Sequence, residues 1–127
     1  MKIKYINDDT LTIGIASYDE DKYICPGYDN LLVLAIADMA TTTERAQLLN
    51  MGDFKAFAKP TENDEFNEAT GKQVVRDKLI IRDSERQILK VSIIEKYLKK
   101  ILNGVGDTAK HHTDRMDNAY ARMEALQ

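Results

Sequence analysis

Tryptophan is absent from the 127 residues, and three phenylalanines and six tyrosines are the only aromatic side chains. A core must therefore come mainly from Ile, Leu, Val and Ala. A single cysteine, Cys25, excludes an intrachain disulfide and with it a secreted disulfide framework. No His, Cys, Asp or Glu set has the spacing of a metal site. His111 and His112 are adjacent, so on a helix they project about 100° apart, and Asp8-Asp9 and Asp19-Glu20-Asp21 lack the spacing of a calcium loop. The longest apolar run, residues 31–37, is too short to span a bilayer. Residues 1–9 lack the apolar centre of a signal peptide. These absences lead us to expect a cytoplasmic protein with no membrane partner and no cofactor.

Apolar residues make up 43% of the chain and charged residues 31%, a balance that favours folding over disorder. The length fits a single domain, residues 1–127, around one core. A net charge of −3 conceals a division: residues 1–66 carry six Lys/Arg against twelve Asp/Glu, and residues 67–127 carry twelve against nine. Ordinary surface decoration accounts for this. So does an electropositive helical face offered to an anionic partner, although a generic DNA binder is usually more basic.

Residues 2–6 and 10–16 alternate polar and apolar side chains. In the second segment Leu11, Ile13 and Ile15 share one face, with Thr10, Thr12 and Gly14 on the other. Asn7-Asp8-Asp9 supplies the turn, so a hairpin is expected. Residues 22–25 read as a short third strand, stopped by Pro26-Gly27. Asp29 or Asn30 caps a helix over 31–40, although the run at 31–37 also suits a buried strand. Thr41-Thr-Thr-Glu44 has capping-box spacing and starts a short helix over 43–49, which Asn50-Met51-Gly52 stops. Residues 53–59 read as a further strand, ended by Pro60.

Asn67 caps a helix from 68 to about 82. Ser84-Glu-Arg-Gln87 has capping-box spacing as well. The chain therefore breaks near Asp83 and restarts through 102, or runs on as one kinked helix; a hairpin of 79–82 with 87–93 is a third arrangement. Gly104-Val-Gly106 is expected to break the helix, and Asp107 to cap a last one whose Met116, Ala119, Met123 and Leu126 form one apolar stripe. The fold class is α+β. A small antiparallel sheet, from an N-terminal hairpin or meander plus a later strand, packs with helices and leads into a helical C-terminal half. The terminal stripe suits burial on its own chain or on a second subunit, and a homodimer or higher homo-oligomer is expected.

Ala69-Thr-Gly71-Lys72 has the end of a phosphate-binding loop, but Phe66 and Gln73 stand where its first Gly and its Ser/Thr are required. A nucleotide triphosphatase is excluded on that ground. Lys72 and Arg76 are four residues apart, and Lys78, Arg82, Arg86 and Lys90 repeat at intervals of four. On one helix such a row is either a solvated face, with Asp77, Asp83 and Glu85 as ion-pair partners, or an anion site. For the second reading Lys72 and Arg76 lie near a helix start, where unpaired N–H groups favour phosphate, and Lys55 and Lys59 approach from the preceding strand. Phe57 or Phe66 would stack on a base. Cys25, before Pro26, reads as a small buried residue. Tyr18, Tyr23 and Tyr28 suit a core, an interface or a stacking role.

Residues 54–76 resemble a pattern of small phage and prophage proteins of Gram-positive hosts. In it a strand with Ala and a Pro leads to Asp-x-Phe, then to a Gly that opens a basic helix. The matching residues are Ala56, Ala58, Pro60, Asp64, Phe66, Gly71 and Arg76, and the segment covers about a fifth of the chain. Lys59 stands where a Cys is frequent, and Val74-Val75 where a Leu-Ala pair is usual. In size, α+β layout and basic helix the chain is similar to the Thoeris anti-defence sponges, oligomers that sequester cyclic ADP-ribose signals. That resemblance implies a non-enzymatic protein of the host cytoplasm that binds an anionic nucleotide signal; no binding residue carries over by motif, and the reading of the residues themselves offers Lys55, Phe57, Lys59, Phe66, Lys72 and Arg76 as the ligand-binding set. Two alternatives stand beside it: an inhibitor that engages a host protein through the acidic N-terminal half, and a nucleic-acid-binding accessory protein.

Overall fold

The computed structural model describes residues 1–7, 10–18, 23–60 and 67–127. Its elements follow in the order β1 (Lys2–Asn7), β2 (Thr12–Ser17), α1 (Asn30–Met39), α2 (Thr42–Leu48), β3 (Phe54–Ala58) and α3 (Glu68–Ala125). This is an α+β chain, with an antiparallel three-stranded sheet and a C-terminal half made of one helix. It divides into two compact units, Met1–Ile93 and Ile94–Gln127, and α3 contributes to both.

In the first unit β1 and β2 form the expected hairpin, with Lys2 opposite Ser17 and Asn7 opposite Thr12. Its turn residues Asp8 and Asp9 lie outside the described residues. The third strand is not the one expected at 22–25, whose described part, 23–25, is irregular backbone and bend. There the backbone is committed elsewhere. Ile24 N–H donates to Asn30 Oδ1 at 2.8 Å, and Ile24 C=O accepts from the Lys90 ammonium at 2.9 Å. With both groups taken, Ile24 has nothing to offer a ladder. β3 fills the place instead, antiparallel to the free side of β2, giving the order β1-β2-β3.

The face of β2 that is buried is its small-residue face. Thr12, Gly14 and Ala16 are buried, while Ile13, Ile15 and Ser17 are only half-buried. Ala16 and Ala56 pack with Val75 and Leu79 of α3, and Ile3, Tyr5, Phe54 and Ala58 close around them. Gly14 explains the choice. A Cβ there would collide with Cγ1 of Val75 and lie 3.0 Å from Cδ1 of Leu79. Only a residue without a side chain lets the helix approach this closely.

Local capping sets the first two helices. Asp29 is the N-cap of α1, its Oδ1 accepting from Leu31 N–H at 2.8 Å, and the run at 31–37 is helical. Thr41 and Glu44 form the reciprocal capping box of α2. Val33, Ile36 and Ala37 of α1 are buried, as is Leu48 of α2. Asn67 caps α3, its Oδ1 accepting from Thr70 N–H at 3.2 Å.

Neither expected interruption of α3 occurs: it is one helix of 58 residues through Asp83 and through Gly104-Val-Gly106. Asp83 lies within the helix and makes a long-range contact, its Oδ1 accepting the Tyr18 hydroxyl at 2.5 Å. The two glycines are tolerated inside the helix, since each weakens it by only roughly 0.5–1 kcal/mol relative to alanine. No described helix is long and apolar enough to cross a membrane.

Candidate functional site

The row Lys78, Arg82, Arg86 and Lys90 engages the protein's own backbone. Each of the four donates to a backbone carbonyl. Lys78 Nζ reaches Phe57 O at 2.9 Å, Arg82 Nη1 bonds Lys55 O, Arg86 Nη1 reaches Gly52 O at 2.8 Å, and Lys90 Nζ reaches Ile24 O at 2.9 Å. Phe57 and Lys55 are alternate residues of the edge strand β3. Four helical residues rise about 6 Å, and two strand residues about 6.6 Å. A four-residue repeat on α3 therefore keeps step with alternate carbonyls on β3, and occupies an edge that would otherwise invite another strand. Arg86 also lies over the rings of Phe54 and Tyr18, at 4.7 and 5.5 Å. Of the acidic partners expected for this row, Asp77 accepts from Gln73 and Asp83 from Tyr18.

The five described residues of the six expected to bind a ligand do not lie together. Lys72 is committed on the α3 side: it pairs with Glu68 at 3.1 Å and lies 5.8 Å from the Tyr5 ring centre. Arg76 is exposed. Phe66 lies outside the described residues. Lys55 and Phe57 alternate with Ala56, which faces α3, so they stand on the opposite face of β3. Lys59 follows at the strand's end and is exposed. Lys55 therefore does not join Lys72 and Arg76 around the helix start, where Asn67 already takes one of the N–H groups.

The sheet brings Lys55 and Phe57 together with residues that sequence reading did not single out. Across the strands, Lys4, Ile15 and Lys55 form one row, and Ile6, Ile13 and Phe57 the next. Phe57 is 62% exposed and Ile6 46%. With Lys2 and Ser17 in a third row, this outer face carries amines, aliphatic carbon and one ring. None of its described strand residues is acidic. The alternation of Lys2 and Lys4 with Ile3 and Tyr5 was visible in the chain. That β1 and β3 flank the same strand, and so share this face, was not.

A second polar group sits in a cleft of about 170 Å³, bordered by Tyr18, Tyr23, Pro26, Asp83, Gln87 and Lys90 among others. Burial is the first cause that pushes the Tyr18 hydroxyl up to about 12, and its bond to Asp83 adds to this. Burial likewise pulls the Lys90 ammonium down and pushes the neighbouring Cys25 thiol up. Gln87 Oε1 is buried without a hydrogen-bond partner among the described residues. Lys90 is 1% exposed, and its bond to Ile24 pins the 23–26 segment to α3. No group of three or more potential metal ligands occurs among the described residues. Comparison with protein-family models, curated proteins and solved structures gives no match to this chain.

Proposed function

We propose that this protein is a binding module for single-stranded nucleic acid, which lies across the outer face of the sheet. The observation that carries the reading is the row Ile6-Ile13-Phe57 beside the row Lys4-Ile15-Lys55, with no carboxylate on the described strands. An exposed ring on a sheet stacks on a base whatever its identity, and flanking ammonium groups follow the backbone phosphates. Lys4 and Lys55 are two strand spacings apart, about 10 Å. That separation suits phosphates along a strand better than the single diphosphate of a nucleotide signal. The nucleotide-sequestering reading uses the same groups and is the competitor to test. The acidic-surface reading has less support, since eight of its twelve carboxylates lie outside the described residues.

The test is fluorescence anisotropy of a labelled oligonucleotide of about 12 nucleotides, a length within the usual range for such platforms, titrated at graded salt. Three lysines on the backbone predict a slope of log K against log salt of about −2. Phe57→Ala should weaken binding by roughly five- to a hundredfold, the worth of about 1–3 kcal/mol of stacking. Lys55→Glu should weaken it further and flatten the salt slope. Absence of binding at low salt, or binding indifferent to both substitutions, overturns the proposal. Binding of ADP-ribose without the oligonucleotide would restore the sequestration reading.

A further inference from the structure

In the second unit the helix from Ile94 to Ala125 buries Ile94 and Tyr97 in its first turn. Beyond them its large apolar side chains lie open: Ile101, Leu102, Val105, Met116, Tyr120, Met123 and Leu126 are each at least 41% exposed. A helix with two internal glycines draws most of its stability in water from packing, and these residues are the surface available for it. Leu98, Ile101, Val105, Ala109, His112, Met116, Ala119, Met123 and Leu126 follow one another at steps of three and four. They therefore form one stripe on a single helix face.

We infer that a second copy of this chain packs antiparallel along that stripe, centred on His112. Turned end for end about His112, the three outer layers of the stripe fall on themselves. Leu98 meets Leu126, Ile101 meets Met123 and Val105 meets Ala119, with Ala109 and Met116 one residue out of step beside the centre, while Leu102 and Tyr120 flank these layers. The layers are complementary in size as well. His112, Met116, Ala119 and Arg122 border a shallow hollow, and the residue brought to Ala119 is the branched Val105. Charge selects the direction. Residues 94–110 carry Lys96, Lys99, Lys100 and Lys110 against Glu95 and Asp107, a net +2. Residues 111–127 carry Arg115 and Arg122 against Asp114, Asp117 and Glu124, a net −1. Antiparallel pairing sets the basic half against the acidic half, whereas parallel pairing stacks like on like.

Sedimentation velocity of the whole chain over a range of concentrations tests the association, and cysteine cross-linking tests its direction. A dimer is expected. Val105→Asp should raise its dissociation constant roughly a hundredfold or more, because a carboxylate enters an apolar layer. Under mild oxidation Met123→Cys alone should not cross-link, whereas an equimolar mixture of Ile101→Cys and Met123→Cys chains should. The unsubstituted chain controls for Cys25, which is 1% exposed. A monomer at every concentration overturns the inference, leaving the stripe to a different partner. Self-cross-linking of Met123→Cys overturns it in favour of parallel pairing, and a dimer in which the mixture fails to cross-link overturns it in favour of another surface.

Discussion

Gly14 is the residue on which the packing of sheet and helix turns. Its neighbours on that face of β2 are Thr12 and Ala16, both fully buried, so β2 presents a shallow surface to Val75 and Leu79. Gly14→Ala places a methyl against Cγ1 of Val75. We expect a loss of about 1–3 kcal/mol, the usual range for overpacking a filled core, read as a lower midpoint in urea. Adding Val75→Ala removes the colliding methyl, so the double variant should be less unstable than the sum of the two single changes. Strict additivity would show that α3 does not approach β2 as described. The same proximity explains why the larger side chains of β2, Ile13 and Ile15, end on the outer face, where they join Phe57 and the lysines.

Among the elements, α3 protects β3 as much as it packs against it. Lys78, Arg82 and Arg86 take carbonyls of Phe57, Lys55 and Gly52, and the match of helical rise to strand rise holds between Phe57 and Lys55. Replacing all three with Met keeps the aliphatic stems and removes the donors. We expect a loss of roughly 2–4 kcal/mol, from about 0.5–1.5 for each net hydrogen bond, and faster aggregation by light scattering once the edge is uncovered. Arg76→Met, at an exposed position of the same helix, is the control and should change little. Unchanged stability and solubility in the triple variant would reduce the row to surface decoration. This arrangement also shows why cation spacing alone misled: a four-residue repeat of Lys and Arg is the same in sequence whether it faces water, phosphate or a strand's carbonyls.

For the molecule as a whole, alkaline stability should report the Tyr18–Asp83 contact. Tyr18 ionises near 10 when unfolded and at about 12 when folded. Its contribution is thus fully present below pH 10 and lost as pH rises to 12, because the unfolded chain releases its proton first. Tyr18→Phe should flatten the fall of stability across that window; an unaltered fall would place its cause elsewhere, with the buried Cys25 thiol, shifted in the same direction, the next group to test. The sequence alone determined what local rules decide. Asp29 or Asn30, Thr41 with Glu44, and Asn67 mark three helix starts within three residues of the N–H groups they serve, and alternation marks β1 and β2. Only the tertiary structure decided the rest: that β3 rather than 22–25 completes the sheet, that the small face of β2 turns inward, that α3 runs unbroken past Asp83 and Gly104, and that Lys55 and Phe57 face Lys4 rather than Lys72. Each of these depends on which distant group satisfies a backbone carbonyl or fills a given space, and residues far apart in the chain carry no local signal of that pairing.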